Sequence, residues 1–244
     1  EVFTHAGEAA RRGLGYRLQE LNSAAGRGVD GVSNVAASAL WALAALFEAA
    51  CPQPPNLPVA NAECSTGAVG VNLHNAEVRE FFLPEEGNAY YNAIAYDPTP
   101  AAGAPTATPT YYALLLFARF AQQTSGLRPV AIAPQVPGGA QVKAWRVDAG
   151  ESQRRLFVVN TADRPLTLSV AAPGSRYELD RMTPYDPTGA GRTLDAPQVR
   201  IDGRAVSADG SWPGFAPAVG RMSRGRLQLV LGAGEAAVVT VRAR

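Results

Sequence analysis

Near Gly126 the hydrophobic pattern of the chain changes period, and this change limits what the chain can fold into. Before it, helical and strand patterns alternate. Apolar residues Val2, Phe3, Ala6, Ala9 and Ala10 share one face of a helix over residues 2–12, which Gly13 and Gly15 stop. A short strand follows over 16–21, with Tyr16, Leu18 and Glu20 on one face and Arg17, Gln19 and Leu21 on the other. A glycine-rich loop at 26–31 leads to a helix over 35–50, capped by Ser33 or Asn34 and ended by Pro52. Asp30 reads as a helix-start residue. A second strand covers 67–74, and a third helix covers 111–123. Alternation of this kind implies parallel strands joined by crossover helices. Two parallel strands leave both faces and both edges to be covered, as in a barrel cut open.

After Gly126 the pattern is strand only. Short β-type runs occur at 130–132, 142–147, 155–159, 166–170, 177–179, 227–231 and 237–241, separated by Gly, Pro, Asp and Asn turns. That spacing predicts an antiparallel β-sandwich. The expected fold class is therefore α/β plus all-β, with a boundary that divides residues 1–126 from 127–244.

Composition narrows the chemistry. In 244 residues there are only 2 histidines and 2 cysteines, so material for a metal site is scarce, and the formal net charge of +1 gives no footprint for nucleic acid. The most apolar run, 35–50, contains Ser38 and Glu48 and is shorter than the roughly 20 residues of a bilayer span. No membrane span, nucleic-acid partner, metal or cofactor is expected. The first residues show neither a basic n-region nor an apolar h-region of a signal peptide. Cys51 and Cys64 flank a proline-rich loop and are expected to form a bridge worth about 3 kcal/mol, in keeping with a periplasmic or secreted location.

Glu20 is the sharpest candidate for chemistry. It ends a parallel strand and is followed by a polar, glycine-rich loop, the place where βα-barrels build active sites. A carboxylate there attacks an anomeric carbon when a second carboxyl group lies about 5 Å away. An ion pair with a nearby Arg or Lys is the competing structural role. His74 and Asn75 end the second strand and should face the same mouth. A histidine there hydrogen-bonds the nucleophile or a sugar hydroxyl, or else packs against the loop. Tyr90, Tyr91 and Tyr96 follow in a loop where aromatics stack on sugars or simply pack. Glu77, Glu80, Glu85 and Glu86 read as a solvated surface, and no second carboxylate sits at a strand end.

Five motifs occur in one order: ELNS at 20–23, GVSN at 31–34, ALWA at 39–42, GVNLH at 70–74 and YYALLLFA at 111–118. Together they resemble the carboxyl-terminal half of glycoside hydrolase family 79, the β-glucuronidases and heparanase-like enzymes. TLDA at 193–196, IDGR at 201–204 and DGSW at 209–212 are similar to that family's sandwich domain. The resemblance implies the carboxyl-terminal part of a (β/α)8 TIM barrel followed by a β-sandwich, and hydrolysis with retention and no metal. It implies that Glu20 is the nucleophile on the seventh strand and that His74 ends the eighth. Tyr91, in YNAIA at 91–95, matches a loop tyrosine that helps bind the glucuronate carboxylate. Asn22 and Tyr90 complete the expected sugar-binding set. The family's acid/base lies in an Asn-Glu pair on the fourth strand and is not in this chain. A second carboxylate-binding tyrosine has no counterpart at 24–28, where Arg27 is the candidate anion partner.

The expected substrate is thus a β-glucuronide or glucuronate-containing glycan. The expected partner is an amino-terminal chain completing the barrel, or a second copy of this one. An inactive fragment, a carbohydrate-binding subunit and a related glycosidase acting on neutral sugars are the alternatives.

Overall fold

The computed structural model describes residues 2–52, 64, 66–75, 89–95, 105–130, 142–149, 153–171 and 174–242. Tyr96, Glu77, Glu80, Glu85, Glu86, most of the proline-rich loop after Pro52 and the end of the 130–132 run lie outside the described residues.

Helix α1 (Val2–Arg11) leads to strand β1 (Arg17–Leu21), helix α2 (Ala36–Ala50) and strand β2 (Gly70–Leu73). β1 and β2 pair in parallel as a two-stranded sheet, which is the pairing that the alternating pattern requires. Leu18 faces Val71 and Leu21 faces Leu73, so β1 carries one extra residue between these points. The strict two-face alternation expected of 16–21 fails there. Leu18 and Leu21 are both half-buried, while Gln19 and Glu20 are exposed. A bulge lets a strand re-aim a side chain without losing its pairing.

Short strands β3 (Ile94–Ala95) and β4 (Thr106–Ala107) pair antiparallel, and helix α3 (Pro109–Ala121) starts on Pro109, whose fixed φ suits the first turn. β5 (Ser125–Pro129) lies just before the run expected at 130–132, of which only Val130 is described. It is followed by β6 (Val142–Asp148), β7 (Gln153–Asn160), β8 (Leu166–Ala171), β9 (Arg176–Tyr185), β10 (Gln198–Ile201), β11 (Ala218–Arg221), β12 (Arg226–Leu231) and β13 (Ala236–Arg242). A large antiparallel sheet has the order β10-β9-β13-β7-β6-β5, with β11 also on β9. β8 and β12 form a separate pair. Its inward residues Leu227, Leu229 and Leu231 share a core with Val158, Ala237, Val239 and Val241 of the large sheet.

The other face of the large sheet is covered by α2 and α3. α2 is apolar almost all round because it packs on several neighbours, α3, β7 and β2. Phe47 is fully buried at the centre, stacked on Phe157 at 4.3 Å and Trp145 at 4.7 Å, with Phe117 and Phe120 edge-on at 4.9 and 5.0 Å. α3 is fixed by polar contacts too. Arg155 of β7 donates to the carbonyls of Phe120 and Gln122 at the helix end, and Arg119 donates to the fully buried Asp180 of β9 at 2.9 Å.

The expected cap of α2 by Ser33 or Asn34 is not used. Val35 holds the cap position with no side-chain bond, and the free N–H groups of Ala36 and Ala37 donate to Ala196 and Leu194 carbonyls at 2.8 Å. A loop of the β-rich part therefore satisfies the helix start. Ser33 instead accepts from Val29 N–H, and Asn34 accepts from Gly31 N–H while donating to Asp30.

At the other end of α2, Cys51 and Cys64 are bridged, with Cα atoms 5.2 Å apart. The chain then passes so close that a Cβ on Gly67 would sit 1.8 Å from the Ala50 carbonyl oxygen. Among the described residues, no helix is long and apolar enough to cross a membrane.

Because Phe47 contacts α3 and two strands at once, Phe47→Ala is expected to cost about 3–5 kcal/mol. The check is urea unfolding, in which the midpoint falls and the slope stays unchanged.

Candidate active site

β1 and β2 end side by side. His74 N–H donates to the Leu21 carbonyl at 3.3 Å, and the Asn22 side-chain amide donates to the His74 carbonyl at 2.5 Å. These bonds hold the residues after the two strands in one place, so Glu20, Asn22 and His74 are neighbours. His74 Nδ1 lies 3.5 Å from Glu20 Oε1. The Glu20 side chain is 71% exposed and that of His74 is 44% exposed, so the carboxylate is open to an incoming molecule.

The loop after β2 returns to this point. Asn75 accepts from Ala93 N–H at 2.9 Å, and Tyr90 N–H donates to the Arg27 carbonyl at 2.8 Å. Those anchors place Tyr91 beside His74, with its hydroxyl 3.0 Å from Nδ1 and the ring centres 5.7 Å apart. Tyr91 is buried, whereas Tyr90 is exposed.

Gly28 makes room for this arrangement. Its φ is +78°, and a Cβ there would lie 2.8 Å from Ser33 and 3.2 Å from the Tyr91 ring. A glycine in the loop after β1 was visible in the sequence, but its contact with a tyrosine 63 residues later was not.

Of the candidate residues, the structure brings together Glu20, Asn22, His74 and Tyr91, with Tyr90 at the rim. Burial pushes the Tyr91 phenol above its ordinary value, the negative Glu20 adds to the rise, and the positive Arg27 opposes it. Arg27 thus sits within electrostatic reach of the cluster.

Asp30, beside Asn34, is turned elsewhere. It lines a separate cleft of about 450 Å³ with Gly31, Asn34, Val35, Arg192, Asp195 and Pro197, which does not include Glu20. The described residues contain no group of three or more His, Cys, Asp or Glu placed to hold a metal ion.

No family model matches the chain, and no curated protein matches it. Solved structures do. A 4-O-α-L-rhamnosyl-β-D-glucuronidase from Fusarium oxysporum is similar with a TM-score of 0.68 at 18% identity, over 97% of this chain and 46% of that one. An α-L-arabinofuranosidase from Thermotoga maritima gives 0.56 at 12% identity, over 97% and 45%. The catalytic domain of xylanase C from Talaromyces cellulolyticus, of glycoside hydrolase family 30, gives 0.52 at 8% identity, over 94% and 41%. The chain spans less than half the length of these proteins. At such identities the likeness is one of fold: this chain has the fold of a corresponding portion of glycoside hydrolases.

The raised Tyr91 phenol has a consequence for stability. Folded Tyr91 holds its proton more tightly than an unfolded tyrosine, which ionises near pH 10. Its contribution is therefore complete below about pH 10 and is lost as pH rises through the higher folded value. Tyr91→Phe is expected to lose less stability than the unmodified chain between pH 8 and 11, measured by urea unfolding at both.

Proposed function

We propose that this chain is the carboxyl-terminal portion of a retaining glycoside hydrolase. In this reading residues 1–126 complete a (β/α)8 barrel and residues 127–244 form its sandwich domain. The observation that carries the reading is the Glu20 carboxylate, exposed at the carboxyl end of a parallel strand and 3.5 Å from His74 Nδ1. Such a group is placed to act as a nucleophile and is not neutralised by an arginine or lysine partner among the described residues.

In the first step a Glu20 oxygen bonds to the anomeric carbon as the bond to the leaving oxygen breaks, and an acid protonates that oxygen. The same acid, now a base, then takes a proton from water. The resulting hydroxide oxygen attacks the anomeric carbon and releases Glu20 with overall retention. The acid/base comes from an amino-terminal part that completes the barrel. The open β1–β2 sheet and the exposed Leu14 and Val69 beside it are the features such a part would cover.

The substrate is a β-glucuronide or a glucuronate-containing glycan, bordered by Asn22, His74, Tyr90 and Tyr91. The ordered motifs support this choice, as does a cation, Arg27, within electrostatic reach of Tyr91. The disulfide supports a periplasmic or secreted location. A neutral-sugar substrate is the second reading, favoured by the likeness to an arabinofuranosidase fold.

In the complete enzyme, Glu20→Gln should lower turnover of an aryl β-glucuronide by about three orders of magnitude, which is ~4 kcal/mol on the barrier. A 2-fluoro-glucuronide should leave a covalent sugar on Glu20. Labelling of another residue would overturn the assignment. Hydrolysis of aryl arabinosides in preference to glucuronides would favour the second reading.

A further inference from the structure

His74 Nδ1 is approached by two groups that ask opposite things of it. The Tyr91 hydroxyl is 3.0 Å away, and Glu20 Oε1 is 3.5 Å away. A carboxylate only accepts, so Glu20 calls for a proton on Nδ1. A phenol either donates or accepts, so its preference is set by its other partners.

Tyr91 is 7% exposed, and among the described residues His74 Nδ1 is the one hydrogen-bond partner of its hydroxyl. If Nδ1 carried a proton, the phenol hydrogen of this buried side chain would have no acceptor among the described residues, which is costly. If the phenol donates to the Nδ1 lone pair, that cost disappears. The neutral imidazole then carries its proton on Nε2, on the far side of the ring from this contact.

We propose that Tyr91 acts on the candidate nucleophile through His74: by donating its O–H to Nδ1 it holds the imidazole as the Nε2–H tautomer and keeps a proton from pointing at Glu20. Tyr91 is then a positioning residue. Its ring is fixed by the space that Gly28 leaves and by the backbone bond from Tyr90 to Arg27. The effect is to leave the Glu20 oxygen nearest His74 with its lone pairs free, while Nε2–H is available to a sugar hydroxyl. The charged groups that act on the phenol are Glu20 from β1 and Arg27 from the following loop, and neither is hydrogen-bonded to it.

This inference rests on the reading of Glu20 as nucleophile for its catalytic meaning, but its central claim is a tautomer that can be observed directly. The chain has only 2 histidines, His5 and His74, so nitrogen-15 spectra of histidine-labelled protein contain two imidazoles, and His5→Gln assigns them. On the neutral ring, His74 should show an unprotonated Nδ1 and a protonated Nε2. In Tyr91→Phe the phenol is gone, and the proton should move to Nδ1, facing Glu20. In the complete enzyme the same variant should lose about tenfold in kcat, with KM within about twofold, because the nucleophile is now hydrogen-bonded.

A protonated Nδ1 in the unsubstituted chain would overturn the inference, and that measurement needs no variant. A Tyr91→Phe protein with the tautomer unchanged would overturn it too. So would a rise in KM with kcat unchanged, which marks a Tyr91 that borders the substrate and does nothing through His74. The fluorosugar experiment judges Glu20 separately, so the two ideas fail on different readouts.

Discussion

The stacking of Phe47 on Phe157 and Trp145 is the contact on which the rest of the structure depends. It comes from the last turn of α2 and reaches two strands of the large sheet. Because Phe117 and Phe120 close on it from α3, a single side chain joins both helices to the sheet. α2 follows the loop that leaves β1, and its start is bonded to the carbonyls of Leu194 and Ala196. Both ends of this helix are thus defined by the β-rich part, and the loop between Leu21 and α2 inherits a fixed end point. A site that hangs from such a loop needs that fixity, since reacting groups tolerate displacements of only a fraction of an ångström.

Polar contacts add register to what the aromatic cluster supplies in energy. Asp180 is fully buried, and burial raises its carboxyl above the ordinary value even though Arg119, which donates to it from α3, opposes the rise. Breaking such a pair strands a charge, so sliding α3 along the sheet is disfavoured even where apolar packing would tolerate it. Arg155 adds to this by bonding two carbonyls at the end of the helix. The packing and the polar pairs together allow one seating of the helices.

At the candidate site, the local sequence and the long-range contacts play different parts. Glu20 stood out from its strand and the loop that follows, because a carboxylate at a strand end is a local pattern. His74 was legible for the same reason, since it ends the second apolar run. The bulge that breaks the alternation of β1 was not legible: it depends on the register against β2, 52 residues later at Leu73. Nor did the sequence say which tyrosine turns inward. Tyr90 and Tyr91 are adjacent and chemically alike, and only the bond from Tyr90 N–H to Arg27, with the gap at Gly28, sends Tyr91 to the histidine.

The sequence by itself determined the alternation of helix and strand before Gly126 and the parallel pairing of β1 with β2. It also determined most of the strands that follow and the positions of Glu20 and His74 at strand ends. These are properties of periodicity and of turn residues, which act over a few positions. Only the tertiary structure decided how α2 is capped, that a strand covers Ser125–Pro129, and which atoms meet at Glu20. Capping by Leu194 and Ala196 overrides Ser33 and Asn34 because a backbone carbonyl from a distant loop satisfies the helix start equally well. Contacts between residues tens of positions apart have no local signature, since each partner is chosen by the packing of elements and not by its neighbours in the chain.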